Sequence, residues 1–373
     1  MALARKGLVM LTAPVFLETD PSVLVDALVA AFENTSGKTL YPAQVERLLV
    51  DLMAYRESLV RHAIQGAAEQ NLVDFATEAR LEALGRMVGV SSRIAATSAT
   101  CTWHLTLPEA LGTDFVTPIG FQAMSPNGTT WQTTTDGIIP AGQLAVNVEA
   151  HAAAPGAADN GFAVGANFSP LTGNLAITAV TVSEGGADTE TDDQLRARIL
   201  LAPFGFSVAG SSGAYRFHAL GAHPSIVDVA VANIGPGQVG VYPLTVTGLP
   251  STDVKDMVMA ALSDETVRPL CDAVTVADPT VVPFVLEVNL TTFDTADNAV
   301  VLANVQDMAR SYVKDRAEGL GRDLIGSQII KLLSLDGVYK IELVGWVDRV
   351  LTPNEWADGT TIPTIHLIGS AHG

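Results

Sequence analysis

Gly185-Gly186-Ala187-Asp188-Thr189-Glu190-Thr191-Asp192-Asp193 is the stretch on which the reading of the fold turns. The glycine pair permits a tight turn, because glycine reaches positive φ without a Cβ clash. Thr191 and Gln194 stand at capping-box spacing, where each side chain satisfies an orphan backbone amide of a helix start. Asp192 and Asp193 place negative charge against the positive end of the helix dipole, and Asp192 stands four residues before Arg196. The segment therefore reads as a turn that opens a helix. As a cation site, Asp188, Glu190, Asp192 and Asp193 lack the glycine and terminal glutamate of a calcium loop, so no metal is assigned to them.

Upstream, the pattern alternates. Residues 176–183 read as a strand, and from Ala99 onward Cys101, Trp103, Leu105 and Leu107 recur at every second position, as in a half-buried strand. Short apolar runs follow, punctuated by Pro118-Ile119-Gly120, Asn127-Gly128, Pro140-Ala141-Gly142 and Pro155-Gly156. These dipeptides supply the fixed turns of a compact β domain, and Asn127-Gly128 is a strong hairpin signal. Residues 151–166, rich in Ala and Gly, have too little apolar bulk for a core helix and read as a long surface loop.

The first hundred residues are helical in period. Asp20-Pro21 is an N-cap with proline at the first helical position, and Val23, Leu24, Ala27, Leu28 and Ala31 keep helical spacing up to Gly37. A second helix from about Pro42 carries Val45, Leu48, Leu52, Tyr55, Leu59 and His62 at alternating steps of three and four. That is a short heptad seam, which requires a partner helix, internal or from another chain. His62 on this seam is read as a packed or hydrogen-bonded core residue without chemistry. Leu72, Phe75, Ala76 and Ala79, then Leu81, Leu84 and Val88, extend the period to Gly89, so three helices are expected to form a bundle.

Downstream, strands and helices alternate: strands over 226–234 and 239–246, a helix over 252–262, a strand over 284–293, helices over 295–318 and 327–335, and a strand over 339–347. The alternation predicts one or two small α+β sandwiches with helices on one face of a sheet. Gly235-Pro236-Gly237-Gln238-Val239-Gly240 satisfies G-x-G-x-x-G, but a dinucleotide fingerprint must open a helix, and here another strand follows. It reads as a hairpin turn, with no cofactor.

Composition narrows the function. The 373 residues are 48% hydrophobic, enough for several cores, and 40 acidic against 21 basic residues give a net charge of −19, which opposes nucleic-acid phosphates and anionic lipid. Cys101 and Cys271 have no second thiol or histidine at ligand spacing, so neither a disulfide framework nor a zinc site is indicated. Arg5-Lys6 with the following Gly7 to Leu17 only faintly suggests a leader, interrupted by Pro14. No apolar run approaches the roughly eighteen residues of a membrane span. Neither a Gly-x-Ser-x-Gly elbow nor a His-Glu-x-x-His helix is present, and Asn167-Phe168-Ser169 is a chance sequon.

The acidic run, continuing into Leu195-Arg196-Ala197-Arg198-Ile199, closely resembles the signature of the baseplate J-like family, the wedge proteins of contractile tails. The resemblance rests on Gly185, Gly186, Asp188, Glu190, Asp192, Leu195 and Arg196, and it extends in both directions. Upstream it takes in Leu81-Glu82-Ala83-Leu84-Gly85, Gly89-Val90, Arg93, Pro118-Ile119-Gly120, Trp131-Gln132-Thr133, Ile139-Pro140-Ala141-Gly142 and Asn160. Downstream it takes in Gly213-Ala214-Tyr215, Ile226 to Val231 and the run Arg268-Pro269-Leu270-Cys271-Asp272-Ala273-Val274. Ser91-Ser92 is one residue longer than usual there, and Cys271 stands where a small polar residue is common.

The resemblance implies a multidomain α+β chain: an N-terminal helical bundle (1–95), a central β-rich domain (96–183), the signature helix with an α+β domain (184–278), and a C-terminal α+β sandwich that forms a ring or dimer (279–373). It implies a structural baseplate wedge subunit of a contractile phage tail or phage-derived injection machine, transmitting the rearrangement that triggers sheath contraction. The implied partners are other wedge proteins of the tail protein I type, further copies of itself in a sixfold ring, the central hub and spike, and a lysozyme-like wedge component. Neither direct nucleic-acid binding nor membrane insertion is expected. On this view assembly occurs in the bacterial host cytoplasm, the place is the virion baseplate, and Val45, Leu48, Leu52, Tyr55 and Leu59 meet a partner helix. Two alternatives stand beside it. A tail-associated receptor- or glycan-binding protein would display aromatic platforms, and only 6% of this chain is aromatic. A peptidoglycan hydrolase needs a cleft with an acid/base pair, and no pair stands out in the sequence.

Overall fold

The computed structural model describes residues 12–207, 210–264, 267, 269, 271–359 and 361–372. Arg5, Lys6, the first residues of the leader-like stretch, Arg268 and Leu270 thus lie outside the described residues. The chain divides into two compact units: the residues up to Ser92 together with Asp192–Leu200, and Arg93–Thr191 together with Leu201–Gly373.

In the first unit, α1 (Pro21–Ser36) begins as its sequence dictates, with the Asp20 carboxylate accepting from Ser22 N–H at 2.9 Å. It ends at Gly37, whose φ of +66° lets its N–H reach back to Glu33 O. It runs antiparallel to α2 (Val45–Glu69): Gln65 Nε2 donates to Pro14 O at 2.8 Å, and Gln65 Oε1 accepts from Phe16 N–H at 2.9 Å. The buried residues of α2 are Val50, Ala54 and Ser58, one stripe at four-residue spacing. A helix starting at Leu72 is not what forms. Residues 70–77 make a turn, with Gln70 Oε1 accepting from Thr77 N–H at 3.0 Å, and α3 (Glu78–Met87) starts only after it. The physical reason lies in Arg196, which takes the Val73 and Ala76 carbonyls that a helix would have used.

The second unit opens with a β domain: β1 (Thr100–Thr106), β2 (Phe115–Thr117), β3 (Gln122–Met124), β4 (Thr130–Thr133), β5 (Gly137–Ile139), β6 (Ala145–Ala152), β7 (Asn167–Pro170) and β8 (Ala176–Ala179). Six of them close a barrel in the order β1-β6-β4-β3-β7-β8, β8 pairing back antiparallel on β1, while β2 and β5 form a separate ribbon. A barrel this small is filled by side chains rather than hollow. Cys101, Trp103 and Leu105 point inward from β1 and meet Trp131 and Phe168, whose rings lie 5.4 Å apart edge to face. Asn127-Gly128 forms the β3–β4 hairpin, Gly128 at φ +86°. The stretch read as a surface loop differs from expectation. His151 and Ala152 belong to β6, Asp159 is buried, and Phe162 packs against Trp131 because its ring completes the core that the Ala-rich flanks leave unfilled.

After α4 (Asp192–Gly205) and α5 (Ser212–Leu220) come β9 (Ile226–Gly235), β10 (Gln238–Thr245), α6 (Thr252–Leu262) and β11 (Ala273–Val276). The sheet order is β11-β10-β9, with β9 and β10 an antiparallel hairpin and β11 parallel to β10 after the α6 crossover. Gly237, at φ +67°, makes the turn that the glycine-rich motif supplies, and the chain continues as strand. The last region holds β12 (Thr280–Pro283), β13 (Glu287–Phe293), α7 (Asn298–Ala317), α8 (Gly326–Leu333), β14 (Val338–Leu343), β15 (Glu355–Asp358) and β16 (Thr364–Ala371). Its main sheet is β14-β13-β16, with β16 parallel to β13, and α7 buries Val301, Val305, Ala309, Tyr312 and Val313 against it. The fold is thus multidomain α+β, with N-terminal helices, a six-stranded barrel and mixed α/β regions. Among the described residues no helix is long and apolar enough to cross a membrane.

Candidate functional site

Two features carry the functional question: the seam on α2 and the acidic turn. The five seam residues Val45, Leu48, Leu52, Tyr55 and Leu59 are between 48% and 70% exposed. They are joined by Leu49, Met53, Val60 and Ile64, also exposed, which the heptad reading passed over. At about 100° per residue these side chains fill roughly half the circumference of α2, opposite the Val50–Ala54–Ser58 stripe. The signal for the extra four was already in the sequence as a second apolar row one residue beyond the first. Arg47 with Asp51 and Arg61 with Glu57 form i,i+4 ion pairs on the same helix, at 2.9 and 2.6 Å. His62 is hydrogen-bonded but exposed rather than in a core, its Nδ1 lying 2.9 Å from Ser58 O on its own helix.

The acidic turn is occupied by backbone. Gly185, at φ +82°, redirects the chain, and the Asn160 side-chain amide clamps Gly186 at both ends, donating to its carbonyl at 2.7 Å and accepting from its N–H at 2.9 Å. A Cβ on Gly186 would collide with the Gly156 carbonyl, so only glycine fits. Ala187 exchanges two backbone hydrogen bonds with Thr97, and Asp188 Oδ1 accepts from Ala157 N–H at 3.1 Å. Glu190 is buried, its carboxylate accepting from Ile94 N–H at 3.0 Å and its carbonyl from Arg93 at 2.9 Å. The buried Glu190 carboxylate is thus met by a backbone amide.

In the first unit the helix half of the signature is equally committed. Asp192 accepts from Glu78 N–H at 3.1 Å, at the start of α3, where Glu78 holds the unusual φ of +48°. Arg196 bonds Asp193 at 2.6 Å, Val73 O at 2.8 Å and Ala76 O at 2.9 Å. Leu195 is fully buried, and Ile199 packs so closely on Gly85 that a Cβ there would sit 3.2 Å from its Cδ1. All seven signature residues therefore serve a turn and a docked helix. Among the described residues, no three His, Cys, Asp or Glu side chains gather into a group able to hold a metal ion. Of the two thiols, Cys101 is sealed in the barrel, where burial pushes it up to about 12, while Cys271 is exposed. No motif singled out His223, a buried imidazole bonded to Thr97 beside Gly185.

Three sequence models of one family match in chain order: the Baseplate J-like protein barrel domain over residues 104–189, the Baseplate J-like central domain over 207–278, and the Baseplate J-like protein C-terminal domain over 285–365. The chain belongs to the baseplate J-like family. The barrel match ends at residue 189, so Gly185, Gly186 and Asp188 fall inside it, while Glu190, Asp192, Leu195 and Arg196 lie between it and the central-domain match. Baseplate protein J of Escherichia phage P2 is 32% identical over 185 residues, which are 48% of this chain and 60% of that protein. A chain of the sixfold-symmetrised anti-feeding prophage baseplate, determined by cryo-electron microscopy, is 13% identical, with a TM-score of 0.42 over 92% of this chain and 90% of its own.

Proposed function

We propose that this baseplate J-like chain is a structural wedge subunit of a phage tail or tail-like injection machine, placed in the baseplate and assembled around its hub. The observation that carries this reading is the apolar half of α2, which is too large and too continuous to face water without a partner. The partner we infer is a helix of a second wedge protein, of the tail protein I type, laid along Val45, Leu48, Leu52, Tyr55 and Leu59 in coiled-coil fashion. Residues 1–95 then act as the assembly arm, 96–183 and 184–278 as the body, and 279–373 as the part that meets further copies in a sixfold ring. Contacts to the hub and spike and to a lysozyme-like wedge component complete the wedge. Triggering of contraction follows if such interfaces have two packings of similar free energy. The chain acts by assembly, without catalysis or cofactor.

Co-expression with the neighbouring tail proteins tests this. Leu52 and Leu59 are already exposed, so Leu52→Asp and Leu59→Asp should leave the isolated chain within about 0.5 kcal/mol of its parent in stability. Each buried aspartate should weaken a heteromeric wedge on the order of a hundredfold. A complex of undiminished affinity, or particles that assemble normally with both changes, overturns the proposal. Turnover of a polysaccharide by the isolated chain would instead favour the hydrolase reading.

A further inference from the structure

One neutral imidazole joins the barrel to the start of the central sheet. His223 lies in the turn between α5 and β9 and is buried, with Ile226 N–H donating to its carbonyl. Its Nδ1 accepts from the Ser225 backbone N–H at 3.2 Å and lies 2.7 Å from the Ser225 hydroxyl. A backbone N–H is only ever a donor, so Nδ1 carries no proton and the ring hydrogen sits on Nε2. That nitrogen faces the barrel, with Thr97 Oγ1 at 3.1 Å and the Gly185 carbonyl as a further acceptor. Thr97 Oγ–H is itself directed to Gly185 O at 2.8 Å, which leaves a Thr97 lone pair for Nε2–H. Around this contact Thr97 and Ala187 exchange their backbone hydrogen bonds, so the ring sits at the point where the acidic turn leaves the barrel.

We propose that His223 is a proton-sensitive latch: neutral, it ties the Thr97–Gly185 corner of the barrel to the first turn of β9, and protonated, it releases that joint. A proton added at Nδ1 would point an N–H at the Ser225 N–H, donor against donor. The Ser225 hydroxyl can rotate to accept, but the backbone amide cannot, and a charged ring would also have to remain buried. Among the described residues no charged side chain is bonded to the ring to offset its charge. Residues 221–226 contain no other ionisable group, nor do residues 97–100 on the barrel side. Beyond Gly185, Asp188 is bonded to Ala157, and Glu184 faces Asp253 and Lys255 of α6.

Burial pushes the His223 imidazole below its ordinary value, the Gly185 carbonyl acting in the opposite sense. The released form therefore binds more protons than the latched form. The joint is at full strength above about pH 6.5 and weakens as pH falls through the usual imidazole range toward the latched value. Glu184 runs the other way: burial first, then Asp253, raise its carboxyl against the effect of Lys255, so acid relieves a cost there.

Hydrogen exchange read by mass spectrometry on the full chain, normalised for intrinsic rates, tests the latch between about pH 8 and about pH 5.5. Peptides spanning 97–100, 184–187 and 223–226 should lose protection by up to about tenfold per pH unit below the imidazole's ordinary value. In His223→Gln, which keeps a donor and an acceptor without titrating, the same peptides should show no such slope, while Glu184→Gln should retain it. Equal slopes in the parent and His223→Gln overturn the latch, as does a parent without a slope. Should His223→Gln not fold, 13C-histidine NMR of the parent decides. The His223 signal, assigned with His223→Asn, should stay neutral below the titration of exposed histidines, and an ordinary titration overturns the proposal.

Discussion

At the residue scale, two glycines show why identity and place are separable. Gly137 starts β5 in the ribbon beside the barrel, where an added Cβ would collide with Thr117 Oγ1 and lie 2.5 Å from Val148 Cγ2. Gly137→Ala should therefore cost about 1–3 kcal/mol through overpacking, visible as a lower midpoint in urea unfolding. Gly66 sits late in α2 with nothing within 4 Å of its would-be Cβ and without positive φ. Gly66→Ala should raise stability by about 0.5–1 kcal/mol through reduced chain entropy, in the same assay. Both are glycines in regular elements, and only the surrounding packing tells them apart.

At the scale of elements, helix ends were legible and helix faces were not. Asp20-Pro21 and Gly37 bound α1 because caps are local chemistry, complete within a few residues. For α2, the sequence offers a large apolar stripe and a small one, and the structure sets α1 on the small one, Val50, Ala54 and Ser58. Close helix approach favours small side chains, which a ranking by hydrophobicity passes over. The turn at 70–77 was missed for a related reason: its carbonyls are held by Arg196, more than a hundred residues away. Arg196→Lys keeps the charge but cannot fork to two carbonyls, and should cost about 1–3 kcal/mol. The same change should raise hydrogen exchange over 70–77 selectively, whereas α6 should be unaffected.

At the scale of the whole molecule, a buried carboxylate links regions far apart in sequence. Asp228 on β9 bonds Arg216 of α5 at 2.5 Å, and its other oxygen accepts from Leu320 N–H at 3.1 Å, just beyond α7. Leu320 in turn bridges to Trp356 of β15. Asp228→Ala would strand Arg216, whose Nε is already buried without a partner among the described residues. The cost should be about 2–3 kcal/mol, below that of a fully buried pair because Arg216 is 27% exposed. Calorimetry should show the central and C-terminal regions unfolding together in the parent and in a broadened or split transition in Asp228→Ala, and an unchanged endotherm would refute this coupling.

By itself the sequence determined the order of the regions, helical then β-rich then α+β, the caps of α1 at Asp20 and Gly37, the hairpin turns at Asn127-Gly128 and Gly235-Pro236-Gly237, and, through the acidic run at Gly185 to Asp193, the family. These are short-range features, fixed by backbone sterics and nearby hydrogen bonds. The sheet partners β11, β15 and β16 were not legible, since parallel pairing joins distant strands and β16 lacks an alternating burial pattern. Tertiary structure alone decided which stripe of α2 stays bare, that Asp188, Glu190 and Asp192 accept from distant backbone amides, and that His223 closes the barrel corner. Each of these depends on what another part of the chain brings within a few ångströms, and no local pattern encodes that.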